Sequence, residues 1–155
     1  MGDTPHLIGM HLSGRKLQAA LVDSSGNLVK KVGAEISPEN IVSQAASVVR
    51  ELSSDGANIS ALGFAIPGLV NRQTDVVLVS PEVPSPIREG LHSELSKATG
   101  LRVELENDAN AAAYGEFIVG AGRGSQYLLH DDRQWHRWGH NFGRKTLDRL
   151  FRICR

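Results

Sequence analysis

The chain has 155 residues, enough for one domain with its own core, and 17 Lys and Arg balance 17 Asp and Glu, so no net charge argues for a nucleic acid or a membrane surface. A single cysteine, Cys154, excludes an internal disulfide framework and suits a reducing compartment. The opening Met1-Gly2-Asp3-Thr4-Pro5-His6 lacks the basic start and apolar run of a secretory signal, and no stretch reaches membrane-span length, so a cytoplasmic location is expected. The neutrality conceals a division. Residues 1–129 carry 10 Lys and Arg against 14 Asp and Glu, whereas residues 130–155 carry 7 against 3 and hold both tryptophans, the cysteine and three of the six histidines.

In chain order, residues 7–12 read as a buried strand and residues 16–22 as a second, joined by the short turn Ser13-Gly14-Arg15. Asp23-Ser24-Ser25-Gly26-Asn27 has the composition of a hairpin turn. A third strand follows over residues 28–36, which predicts an antiparallel meander. Ser37 suits an N-cap and Pro38 a first helical position, with Ile41, Val42, Ala45, Val48, Val49 and Leu52 at helical spacing. Residues 59–66 form a continuous apolar run, expected as a strand covered on both faces. Pro67-Gly68 ends it, and residues 76–79 give a short apolar strand. Pro81, Pro84 and Pro86 are expected to keep the next segment out of helix and interior sheet. Ile87, Leu91 and Leu95 mark another amphipathic helix with Gly100 as its C-terminal cap, and residues 101–105 form a final strand. The order β-β-β-α-β-(β)-α-β-α predicts an α/β domain with a mixed sheet and flanking helices.

The last strand runs directly into Glu106-Asn107-Asp108-Ala109-Asn110-Ala111-Ala112-Ala113, an acidic and amide cluster opening an alanine-rich helix. A carboxylate at a strand end and a helix N-terminus suits a proton acceptor for a bound hydroxyl, and it suits a helix cap equally well.

Three segments resemble the ROK family (repressor, open reading frame, kinase), sugar kinases and regulators on the actin-like ATPase and hexokinase fold. They are Ile8-Gly9-Met10-His11-Leu12-Ser13-Gly14-Arg15-Lys16, then Leu62-Gly63-Phe64-Ala65-Ile66-Pro67-Gly68-Leu69-Val70, then Glu106-Asn107-Asp108-Ala109-Asn110 with Gly115-Glu116. Residues 7–129 carry the resemblance, and residues 1–129 are expected to be the family's N-terminal domain, its small lobe. The resemblance implies ATP-dependent phosphorylation of a hexose with Mg²⁺, Asp108 as catalytic base, and Asn107, Pro67, Gly68 and Glu82 around the sugar. It implies phosphate binding by Ser13, Gly14, Arg15 and Lys16 and homo-oligomeric intact relatives; no metal ligands are expected in this chain, and its neutral charge leads to the expectation of no nucleic-acid or membrane partner. The first segment departs from the family's Asp-x-Gly-Gly-Thr-Lys turn, because His11 stands for the Asp, Ser13 for the first Gly and Arg15 for the Thr. Glu82 stands where related kinases often carry Asn.

Beyond residue 129 the resemblance implies a glycine-rich phosphate loop, but the chain reads His130-Asp131-Asp132-Arg133-Gln134-Trp135-His136-Arg137-Trp138-Gly139. The genetic code links the two. Joining the last two bases of each codon to the first of the next turns Trp135-His136 into a forced glycine and Trp138-Gly139 into another. The shifted run permits Thr-Ile-Gly-(Ser/Asn)-Gly-Ile-Gly-Gly-Gly, the loop expected. Residues 130–155 are therefore expected to be an out-of-frame tail, whether from a sequence error, a gene lesion or ribosomal slippage. His136 and His140, spaced i, i+4, would suit a metal with Cys154, but in a shifted frame that spacing is accidental. The expected protein is a kinase N-terminal lobe, truncated and inactive alone. The alternatives are a sugar-sensing regulator without catalysis, suggested by His11 and Arg15, and an independent small binding protein.

Overall fold

The computed structural model describes residues 5–118. Strands β1 (His6–Ser13), β2 (Lys16–Val22) and β3 (Leu28–Glu35) pair antiparallel in series, as a meander. Side chains alternate across a strand, and Ile8, Met10 and Leu12 on β1 and Leu17, Ala19 and Leu21 on β2 all enter the core. A 3₁₀ turn, Pro38–Asn40, leads into α1 (Ile41–Leu52). Strand β4 (Ile59–Ile66) returns parallel to β1, and β7 (Arg102–Asn107) lies parallel to β4. The mixed sheet has the order β3-β2-β1-β4-β7. Between β4 and β7 the chain forms a separate hairpin of β5 (Leu69–Asn71) and β6 (Val76–Val79), then α2 (Ser85–Arg88) and α3 (Leu91–Thr99). Helix α4 (Asp108–Ile118) follows β7 without a loop.

The compact unit holding the sheet ends at Asp108. Its core is one layer thick. Helix α1 packs on β2 and β3, α3 packs on β7 and β6, and the two helices pack on each other. Ile41, Ala45, Val48, Val49 and Leu52 of α1 and Leu91 and Leu95 of α3 meet Leu62, Phe64 and Ile66 of β4 there. Burying a side chain of this size contributes about 1.5–3 kcal/mol, so these positions outweigh any surface term. Among the described residues no helix is long and apolar enough to cross a membrane.

Four expectations are corrected. Strand β4 is covered only in part on its second face among the described residues: Ala61 is buried there, whereas Gly63 is exposed and Ala65 half-buried. The prolines do not exclude helix, since Pro86 occupies the first turn of α2, where its missing N–H has no partner to lose. Ile87 therefore belongs to α2, and α3 starts at Leu91. The Ser37 hydroxyl caps no backbone N–H; it accepts from Asn40 Nδ2 at 3.0 Å. Strand β5 was not anticipated, being only three residues long. Gly100 does cap α3 in a left-handed conformation, as expected.

The β2–β3 turn is closed by Asp23. Its Oδ2 accepts from Asn27 Nδ2 at 2.9 Å, and its Oδ1 accepts from the N–H groups of Asn27 and Ser25 at 2.9 and 2.8 Å. These bonds favour the charged form, and the Asn27 side chain above all holds the Asp23 carboxyl below its ordinary value. A depressed carboxyl stabilises the fold fully above its unfolded pKa, and that contribution fades as pH falls through the folded value. An NMR titration of Asp23 is expected to give a midpoint below the ordinary 3.8, and Asn27→Ala to move it back up.

Candidate functional site

In an open sheet of parallel strands, ligands gather outside the carboxyl ends of those strands. Three such ends lie side by side. The register sets His11 of β1 against Ala65 of β4, and Ile66 of β4 against Asn107 of β7. The residues that leave these strands, Ser13-Gly14-Arg15, Pro67-Gly68 and Asn107-Asp108, therefore meet on one edge.

Asn107 binds that edge together. Its Nδ2 donates to Gly68 O at 2.6 Å and to Asp108 Oδ1 at 3.2 Å. The Gly68 carbonyl requires the NH₂ end of the amide to face it, which assigns the amide's orientation. Gly68 has φ +124°, and a Cβ there would collide with Val79 O, so only glycine permits the bend to lie against the end of β6. Asp108 is held at the start of α4 with its side chain 31% exposed.

Sequence reasoning missed three contributors. His11, expected only as a replacement within the phosphate turn, brings its Nε2 to 4.0 Å from Asp108 Oδ2. Glu106 is buried and pairs with Arg72 Nη1 at 3.1 Å, while its Oε1 accepts the Asn107 N–H at 2.8 Å. The pair links the residue after β5 to the end of β7, and its sequence separation leaves no local signal. Ser80 is buried; its Oγ accepts the N–H groups of Glu82 and Val83, both at 3.2 Å. Arg88 donates to the carbonyls of Ser80 and Val83 at 2.6 and 2.8 Å, so the turn ahead of α2 is fixed from both sides.

Glu82, expected beside the sugar, reaches the β1–β2 turn, where its Oε1 accepts the Gly14 N–H at 3.2 Å. Its Oε2 is shut off from solvent and has no partner among the described residues, an arrangement that costs about 1–3 kcal/mol. Ser13, Gly14, Arg15 and Lys16 are all exposed. Asp108, Asn107, Pro67, Gly68 and His11 thus form one cluster, and Glu82 joins the turn 13–16. Residues 130–155, with His136, His140 and Cys154, lie outside the described residues.

Comparison with known proteins gives this geometry a context. The ROK family model matches residues 7–130. A glucokinase of Thermotoga maritima is 37% identical over 127 residues, covering 79% of this chain and 40% of the relative. A glucokinase of Streptomyces coelicolor is 39% identical over 124 residues, covering 79% of this chain and 38% of the relative. The crystal structure of a ROK family glucokinase from Streptomyces griseus in complex with glucose and AMPPNP superposes with a TM-score of 0.70 at 34% identity, over 77% of this chain and 38% of that one. The chain spans about two fifths of the length of these relatives. The expected mixed sheet with flanking helices, as in an actin-like ATPase lobe, is borne out.

The expectation of no nucleic-acid partner is overturned. A xylose repressor of Bacillus subtilis is 21% identical over 130 residues, covering 79% of this chain and 33% of the repressor. A ROK family transcriptional regulator shares the fold, with a TM-score of 0.65 at 24% identity over 75% of this chain and 31% of that one. The charge balance of a segment spanning a third of such proteins does not exclude what the whole binds.

Gly68→Ala tests the bend. Left-handed strain and the collision with Val79 O are expected to lower unfolding free energy by about 2 kcal/mol or more, measured by urea denaturation.

Proposed function

The chain belongs to the ROK family, and from that membership we propose that it is the N-terminal lobe of a cytoplasmic sugar kinase that phosphorylates a hexose from ATP. The observation that carries this is the half-open Asp108 carboxylate, fixed by Asn107 against the Pro67-Gly68 bend at the carboxyl ends of β4 and β7. Asp108 takes the proton from the attacking sugar hydroxyl. Asn107 holds that carboxylate and the bend in one geometry, and the bend shapes the floor on which the sugar lies. A phosphoryl transfer needs little more than alignment, a base and charge neutralisation. When bound, ATP and Mg²⁺ supply the transferable γ-phosphoryl group and the positive charge that steadies it.

The residues present fit the phosphate part of that group. Gly14 offers a backbone amide in a left-handed turn, and Arg15 and Lys16 offer exposed cations beside it. His11 stands where the resemblance calls for a carboxylate, so no side chain of the turn is assigned to Mg²⁺.

The out-of-frame reading of residues 130–155 belongs to the same proposal. The family match ending at residue 130 supports it, as do the two glycines that Trp135-His136 and Trp138-Gly139 force in the shifted frame. On this reading the 155-residue chain alone has negligible kinase activity, which an ATP-coupled assay checks; turnover near that of a full-length glucokinase would overturn it. Reading the DNA across codons 120–160 is expected to restore the glycine-rich loop after removal of one nucleotide.

A second reading is a sugar-sensing regulator, favoured by His11, Ser13 and Arg15 in the phosphate turn and by the similarity to the xylose repressor. The two separate on Asp108. In the frame-restored protein, Asp108→Asn is expected to lower kcat by about 10²–10⁴-fold while sugar binding by calorimetry persists. A frame-restored protein that binds sugar but turns over no ATP would establish the regulator instead.

A further inference from the structure

We infer that Glu82 is an internal competitor for phosphate: its carboxylate closes the β1–β2 turn, and a polyphosphate binds Gly14, Arg15 and Lys16 only by displacing it. The inference rests on the proposed role of that turn in facing the phosphates and deepens it. Its basis is the Gly14 N–H, which donates to Glu82 Oε1 at 3.2 Å across 68 residues of chain. A backbone amide turned outward by a left-handed residue takes a carboxylate or a phosphate oxygen by the same chemistry, and Gly14 has φ +59°. One N–H cannot serve both, and two anions at contact distance repel each other.

The backbone that carries Glu82 is anchored while its side chain is held weakly. Ser80 Oγ and Arg88 fix residues 80–83, as described above. Among the described residues the carboxylate accepts one hydrogen bond, through Oε1, and Oε2 is buried without a partner. Such a group is an easily released clasp. Moving it into water satisfies the orphan oxygen, which offsets the loss of the single amide contact. Arg15 and Lys16 are exposed and form no ion pair among the described residues, so they remain to hold the incoming anion. Glu82 therefore sets how strongly this turn takes a phosphate chain.

Tripolyphosphate is the probe, titrated calorimetrically into the full 155-residue chain and into Glu82→Gln and Glu82→Ala. Amide NMR spectra follow Gly14 and report whether each variant is folded. Glu82→Ala, which removes both charge and contact, is expected to bind roughly tenfold more tightly than the unaltered chain. Glu82→Gln, which removes only the charge, is expected to fall between them. The Gly14 amide resonance should move on substitution and again on adding tripolyphosphate. Equal affinities in all three chains would overturn the competitor role and leave the phosphate turn standing. No binding to any of them would overturn both.

Discussion

The hydrogen bond from Asn107 Nδ2 to Gly68 O is the contact on which the site depends. It joins the two parallel strand ends from which the sequence leaves the sheet, 39 residues apart in the chain. Everything around it acts to keep it short. Gly68 adopts a conformation no other residue tolerates against Val79 O, and the Glu106 carboxylate, buried and paired with Arg72, takes the Asn107 N–H. A buried carboxylate without its partner is strongly unfavourable, so the Arg72 pair is a condition for placing Asn107 rather than a bonus to stability. Arg72 is about a third exposed, and solvent screening keeps the pair's net worth small. Its contribution is geometric.

Much of this was legible in the sequence. Strand alternation identified the sheet, helical spacing identified α1 and α3, and the Asn107-Asp108 handover from strand to helix marked the edge where the site is proposed. Those signals are local: each depends on neighbours within one or two turns. What was not legible depended on partners far along the chain. Nothing near Glu82 says that its carboxylate reaches Gly14, and nothing near Arg72 points to Glu106. The three prolines misled because proline's cost depends on position, and Pro86 sits in the one helical turn that tolerates it. The run in β4 misled because apolar composition does not distinguish a face covered by helix from one formed by glycine and alanine.

The two ends of the site differ in how far they keep to the family's pattern. At the acceptor end, Pro67-Gly68 and Asn107-Asp108 follow the resemblance, and the structure brings them together. At the donor end, His11, Ser13 and Arg15 depart from it, and a carboxylate from residue 82 lies on the turn's amide. The departures are linked by charge. Replacing an acid by His11 removes a negative group from this edge, Arg15 adds a positive one, and Glu82 introduces an anion beside them. A turn that gains cations attracts phosphate in solution; on the inference drawn above, the Glu82 carboxylate opposes this by holding the Gly14 amide. His11 also faces Asp108 at 4.0 Å, so the same substitution that alters the phosphate end reaches the proposed base. One side chain on β1 thus lies between the turn proposed to face the phosphates and the carboxylate proposed as the base.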